Sequence, residues 1–186
     1  ARVRCKPANG GQRHAGASLA RTDWTVIEGA YFDCWKYDQH VVEPFEVPAH
    51  WARFRSMDWG SAKPFSVGWW AIVGDDHCLS IQGASRIIPR GALLRYREWY
   101  GAAGPNVGLK MTAEAVADGI VERERSDAAL RYGVLDPACF KEDGGPSIAE
   151  RINKELIAAR LRPFHAADNS RVPHRGSMGG WDQLRS

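Results

Sequence analysis

The sequence predicts an α/β domain, and three observations carry that prediction. Three runs of strand-like composition come first, at 53–59, 65–73 and 92–100, joined by short, hairpin-like links. The periodicity then changes to helix, strand, helix, strand, the pattern of later strands joined through helical crossovers into one sheet. The run at 65–73 is also fairly apolar on both sides, with Phe65, Val67, Trp69, Ala71 and Val73 alternating with Ser66, Gly68, Trp70 and Ile72. A sheet covered on both faces produces strands of that kind.

Taken in order, residues 1–22 hold Gly10-Gly11, Gly16 and several arginines without hydrophobic periodicity, so a flexible arm or linker is expected there. The segment 24–32 has strand-like composition, and 41–47 is a second extended piece before Pro48 stops it. The strand at 53–59 delivers a carboxylate, Asp58, at its end, and a Gly/Pro-containing connection leads to the strand at 65–73. Gly74-Asp75-Asp76-His77 is a turn cluster, followed by a candidate short strand at 78–81. In 92–100, Leu94 and Tyr96 alternate with Arg95 and Arg97, and 101–106 is expected to be loop.

A helix is expected to start after Thr112, whose hydroxyl suits an N-cap, and to run to about residue 125 with Ala113, Val116, Ala117, Ile120 and Val121 as its apolar stripe. The next strand ends at Asp136. Ser147 and Glu150 have capping-box spacing, since each side chain can satisfy the other residue's amide at a helix start. Ile148, Ile152, Leu156 and Ala159 supply that helix's buried stripe. A last strand over 162–167 leads into Asp168-Asn169.

Composition narrows the function classes. A chain of 186 residues suffices for one substantial domain, here 23–186, besides the arm. No apolar run approaches the roughly 20 residues that cross a bilayer. Arg2, Arg4 and Lys6 have no apolar stretch behind them, so the cytoplasm is the expected compartment. Cys5, Cys34, Cys78 and Cys139 form no C-x-x-C pair and the six histidines no i,i+4 pair, which argues against zinc and histidine metal sites. The paired glycines at 10–11, 144–145 and 179–180 lack the Lys-Ser/Thr of a phosphate loop. A net charge of +3 and a pI near 8.8 permit a polyanionic partner without demanding one.

The residues with the most chemistry are strand-terminal carboxylates. Ligands of open α/β sheets gather beyond the carboxyl ends of strands, and Asp58, Asp136 and Asp168 each end a predicted strand. Parallel placement of those strands would bring the three carboxylates to one edge, where they repel one another unless a divalent cation sits among them. Oxygen-only coordination suits Mg²⁺ or Mn²⁺, and a pair of such ions suits phosphodiester hydrolysis. The competing role for each is to cap the next turn, as Asp does routinely. Of the basic residues expected near that edge, Lys63, Arg90 and Arg171 are candidate DNA contacts, with Arg95, Arg97, Lys141 and Arg175 as surface cations besides.

Four motifs in order carry a resemblance: Phe54-Arg55-Ser56-Met57-Asp58-Trp59-Gly60, the run from Pro89 to Tyr100, Tyr132-Gly133-Val134-Leu135-Asp136-Pro137-Ala138, and Gly144-Gly145-Pro146-Ser147-Ile148-Ala149-Glu150. Together they resemble the nuclease domain of tailed-bacteriophage terminase large subunits, and flanking segments extend the likeness from about residue 23 to the end. The resemblance implies a ribonuclease H-like mixed sheet with helices on both faces and two-metal cleavage of concatemeric, double-stranded phage DNA. It also implies a bacterial host cytoplasm, and a portal protein and small terminase subunit as partners. By motif match, Asp58 corresponds to the acid on the family's first strand and Asp136 to that on its fourth. Two departures stand out. No ATPase motif is present, and the chain stops before the family's late acidic ligand, so a nuclease domain truncated at its carboxyl end is expected. The alternative is a non-catalytic DNA-binding or assembly remnant of a prophage terminase.

Overall fold

The computed structural model describes residues 35–81 and 84–168. In chain order these form α1 (Tyr37–His40), β1 (Ala52–Asp58), β2 (Ser66–Ile72), β3 (His77–Ile81), β4 (Ala84–Ile88), β5 (Leu93–Tyr100), β6 (Ala102–Gly104), β7 (Val107–Gly108), α2 (Ala113–Glu124), β8 (Tyr132–Leu135), a 3₁₀ turn (Pro137–Phe140), α3 (Ile148–Ala158) and β9 (Phe164–Ala166). The central sheet has the order β5-β2-β1-β8-β9. β2 is antiparallel to both β1 and β5, whereas β8 is parallel to both β1 and β9, so the sheet is mixed. The segments 1–22 and 24–32, with their expected arm and strand, lie outside the described residues.

Each helix begins where its capping chemistry sets it. The Thr112 hydroxyl accepts the Ala115 amide at 3.2 Å, and α2 buries Ala113, Val116, Ala117 and Ile120. At α3, Ser147 Oγ accepts the Glu150 amide at 3.1 Å while Glu150 Oε2 accepts the Ser147 amide at 2.7 Å, so both bonds of the capping box form. Two orphan donors are thereby satisfied, and Ala149, Ile152 and Leu156 face inward. Gly119 would be a costly residue in mid-helix were it not for close packing: a Cβ there would lie 2.2 Å from the Trp99 ring. Its absence lets the indole of β5 lie against α2, under the Arg123 guanidinium at 3.9 Å.

Both crossovers, β5 to β8 through α2 and β8 to β9 through α3, step in the same direction along the sheet. With the usual handedness, that puts both helices on one face. There they bury Met57, Val67, Trp69, Leu135 and Phe164 in a common core. Arg55 lies on the same face at 0% exposure, its Nη1 donating to the Glu124 carboxylate at 2.7 and 2.8 Å. On the second face Phe54 stacks between Trp70 at 6.2 Å and Tyr132 at 5.0 Å.

Three local expectations need adjustment. The strand at 78–81 exists, as part of β3, but pairs with β4 in a separate ribbon. That ribbon rests on a smaller apolar cluster of Trp51, Val73, Leu79, Ile88 and Ala92. The expected loop at 101–106 contains the short hairpin β6–β7, strapped to its neighbours by backbone hydrogen bonds. Residues 41–47 pair with no strand among the described residues.

Candidate active site

The register of the sheet decides which carboxylates meet. Met57 of β1 pairs with Leu135 of β8, and the two strands run parallel, so Asp58 and Asp136 are the next residues along neighbouring chains at one edge. This edge lies at the carboxyl ends of β1 and β8, where the chain order switches from the β2 side to the β9 side. Open α/β sheets present ligand crevices at such switch points. β1 is hydrogen-bonded on both flanks, which gives Asp58 a rigid base.

The two acids differ in their surroundings. Asp58 is exposed and has no side-chain partner among the described residues. Asp136 Oδ1 accepts the Ala138 amide at 2.7 Å, so this residue does cap the 3₁₀ turn after β8. Capping fixes its carboxylate at the strand end. The Cys139 thiol is buried near them: burial pushes its pKa up to about 11, and the Asp136 and Asp58 charges push the same way.

The other expected residues divide. The Ala167 amide donates to the Leu135 carbonyl at 2.9 Å, so the chain still follows β8 just before Asp168, which is exposed at the same edge. Among the described residues, however, no three acidic, histidine or cysteine side chains form a group able to hold a metal ion. Lys63 is exposed in the 59–65 loop that follows Asp58. Arg90 belongs elsewhere and corrects the expectation that it lies near the acids. It precedes β5, which is antiparallel to β2, and Leu93 pairs with Ile72, itself opposite Ala52; Arg90 therefore sits at the far end of the sheet, its amide on Asp76 Oδ1 at 2.9 Å. Arg97 is engaged by Asp127 at 2.9 and 3.0 Å, and Arg95 by Glu98 at 3.1 Å. Lys141 follows the 3₁₀ turn and is exposed. Arg171 and Arg175 lie outside the described residues.

A further lysine, Lys110, reaches this edge without any signal in the sequence, because only backbone bonds between two loops put it there. Its amide donates to the Ser61 carbonyl at 3.2 Å.

A large terminase from a thermophilic bacteriophage is similar in structure over 75% of this chain, with a TM-score of 0.50 and 15% identity. The fold is shared with a bacteriophage large terminase. The nuclease domain of the P22 large terminase is also similar, over 77% of the chain at 14% identity, with a TM-score of 0.43. This chain spans 28% of the thermophilic phage's large terminase and 60% of the P22 nuclease domain chain. No protein-family model and no curated protein matches the sequence. The terminase-like fold carries the mixed sheet with flanking helices that the sequence predicts. Among the described residues no helix is long and apolar enough to cross a membrane.

A cleft of about 990 Å³ opens on the helix side of this fold, between the starts of α2 and α3. Glu114 and Arg151 bridge it through two hydrogen bonds of 2.7 and 2.8 Å. The Arg151 hydrogen bond brings the Glu114 carboxyl down to about 2. Neither Asp58 nor Asp136 lines this cleft, so the acid pair is a separate, more open feature.

Proposed function

We propose that this chain is a divalent-metal-dependent DNA endonuclease domain of the large-terminase type, which cuts concatemeric double-stranded phage DNA. One observation carries the proposal: Asp58 and Asp136 end adjacent parallel strands at the switch point of a terminase-like fold. Two hard carboxylates suit Mg²⁺ or Mn²⁺, which commonly take one or two carboxylates and complete their shells with water and substrate phosphate. Asp58 and Asp136 would hold such ions, two by expectation, with Asp168 as a further candidate ligand. Bound there, they supply a more acidic water and neutralise charge on the phosphodiester.

The chain's own residues do the positioning. β1, paired on both sides, holds Asp58 still, and the Ala138 amide fixes the orientation of Asp136. Lys63 offers a positive charge to a backbone phosphate beside the acids. Docking to a portal protein and a small terminase subunit in a bacterial host belongs to the same proposal.

Replacing Asp58→Asn should abolish cleavage of supercoiled plasmid in Mg²⁺ or Mn²⁺ and leave the circular dichroism spectrum unchanged. Cutting at the parental rate would end the assignment. The lack of a three-ligand group among the described residues favours a second reading, a non-catalytic DNA-binding or assembly module. Mn²⁺ titration separates the two, because such a module binds no Mn²⁺ at millimolar concentration.

A further inference from the structure

Lys110 stands out on three independent counts. Its backbone has φ of 55°, in the left-handed region that glycine and asparagine occupy easily and a lysine does not. Its side chain is exposed and has no hydrogen-bond or ion-pair partner among the described residues, so nothing in the packing calls for a lysine. Its position is fixed by a backbone ladder. Gly108 donates to the Ala62 carbonyl at 2.9 Å and Lys110 to Ser61 at 3.2 Å, which ties the β6–β7 hairpin to the loop leaving Asp58, while Leu109 donates to Gly101 at 3.1 Å and closes the base of the hairpin itself.

The electrostatics of the edge give that lysine a use. Asp58 and Asp136 both carry negative charge, so a phosphodiester approaching them is repelled unless cations flank the approach. Lys63 stands on one of the two strapped segments and Lys110 on the other. Strain retained in an exposed, unpaired, charged residue beside a reactive edge is the pattern expected of a ligand contact.

We propose that Lys110 contacts a backbone phosphate of the duplex that this domain cuts, and that its left-handed conformation is kept for the sake of that ammonium. This rests on the endonuclease reading and adds to it a residue that sequence inspection passes over. The strain makes the proposal unusually easy to test, since the variants that remove the charge also suit the backbone.

The experiment is fluorescence anisotropy of a labelled blunt DNA duplex titrated with the 186-residue chain in EDTA, across a series of KCl concentrations. Lys110→Gly and Lys110→Asn should each flatten the slope of log K against log[KCl] by about 0.9, the value for one lost phosphate contact on B-DNA. Both should melt no lower than the parent, which shows that the fold is intact. A parent that binds the duplex while both variants keep its slope and affinity would overturn the role of Lys110 and leave the endonuclease reading standing. A parent that shows no duplex binding even at the lowest salt would overturn the role of Lys110, while plasmid cleavage in Mg²⁺ or Mn²⁺ still decides the endonuclease reading.

Discussion

Removing the carboxylate of Glu124 should cost this protein a large share of its stability. Glu124 is 6% exposed and receives three hydrogen bonds: two from Arg55 Nη1, at 2.7 and 2.8 Å, and one from Trp69 Nε1 at 2.8 Å. Arg55 has other partners, the Arg162 carbonyl and the Phe164 ring 4.4 Å from its guanidinium carbon, but neither carries a full negative charge. Burial already lowers the guanidinium pKa, and the Glu124 carboxylate opposes that shift. The variant Glu124→Ala leaves a buried cation without a counter-charge, a change worth about 3–5 kcal/mol. It also orphans the Trp69 N–H, for about 1–3 kcal/mol more, although the two losses share one network and do not simply add. A net loss of about 4 kcal/mol or more is expected against a typical total of about 5–15 kcal/mol. Urea unfolding followed by far-UV circular dichroism at neutral pH measures it, with an unchanged m-value showing that the same transition is compared. The double variant Arg55→Met, Glu124→Gln removes the charge and keeps an acceptor for the indole, so it should recover most of the loss. A cost below about 1 kcal/mol for Glu124→Ala would refute the reasoning, because exposed ion pairs have that value.

Two further outcomes follow from local geometry. The Glu114 carboxyl is depressed from 4.5 to about 2 by its Arg151 hydrogen bond, so its contribution to stability is present above the unfolded value and is lost as the pH falls through the folded one. The stability advantage of the parent over Glu114→Gln should therefore shrink between pH 4.5 and about 2 in an acid series of urea titrations; an advantage independent of pH would contradict the pairing. Arg160 ends α3 with φ of 61°, while the Leu161 amide returns to the Leu156 carbonyl at 2.8 Å, a Schellman closure normally made by glycine. Relief of about 1–2 kcal/mol of left-handed strain outweighs the entropy that glycine adds to the unfolded chain, about 0.4–1 kcal/mol. Arg160→Gly should thus raise the urea midpoint, and a lower midpoint would count against the strain.

How much of this was legible depends on the range of the interaction responsible. Caps could be read directly, because the Ser147–Glu150 box and the Thr112 cap involve residues three apart. Strand-like composition located β1, alternation located β2 and β5, and burial followed the alternation in β2. The two arginines of β1 were less transparent. Arg53 and Arg55 occupy the inward positions beside Met57, where pattern alone expects apolar side chains. They are tolerated because carboxylates from outside the strand, Asp127 at 4.0 Å and Glu124, come to meet them. Arg90 misled for a related reason: its place depends on the direction of β5, which composition does not encode.

The order of local patterns along the chain determined by itself that this would be an α/β sheet with acids at strand ends. Strand and helix periodicity, caps and turn residues act over a few positions and need no partner. Only the tertiary structure decided which strands run parallel and which residue stands beside which. The pairing of Met57 with Leu135, and with it the meeting of Asp58 and Asp136, comes from a helical crossover that returns the chain to the open side of β1. The same holds for Lys110, which two backbone-bonded loops bring to that edge.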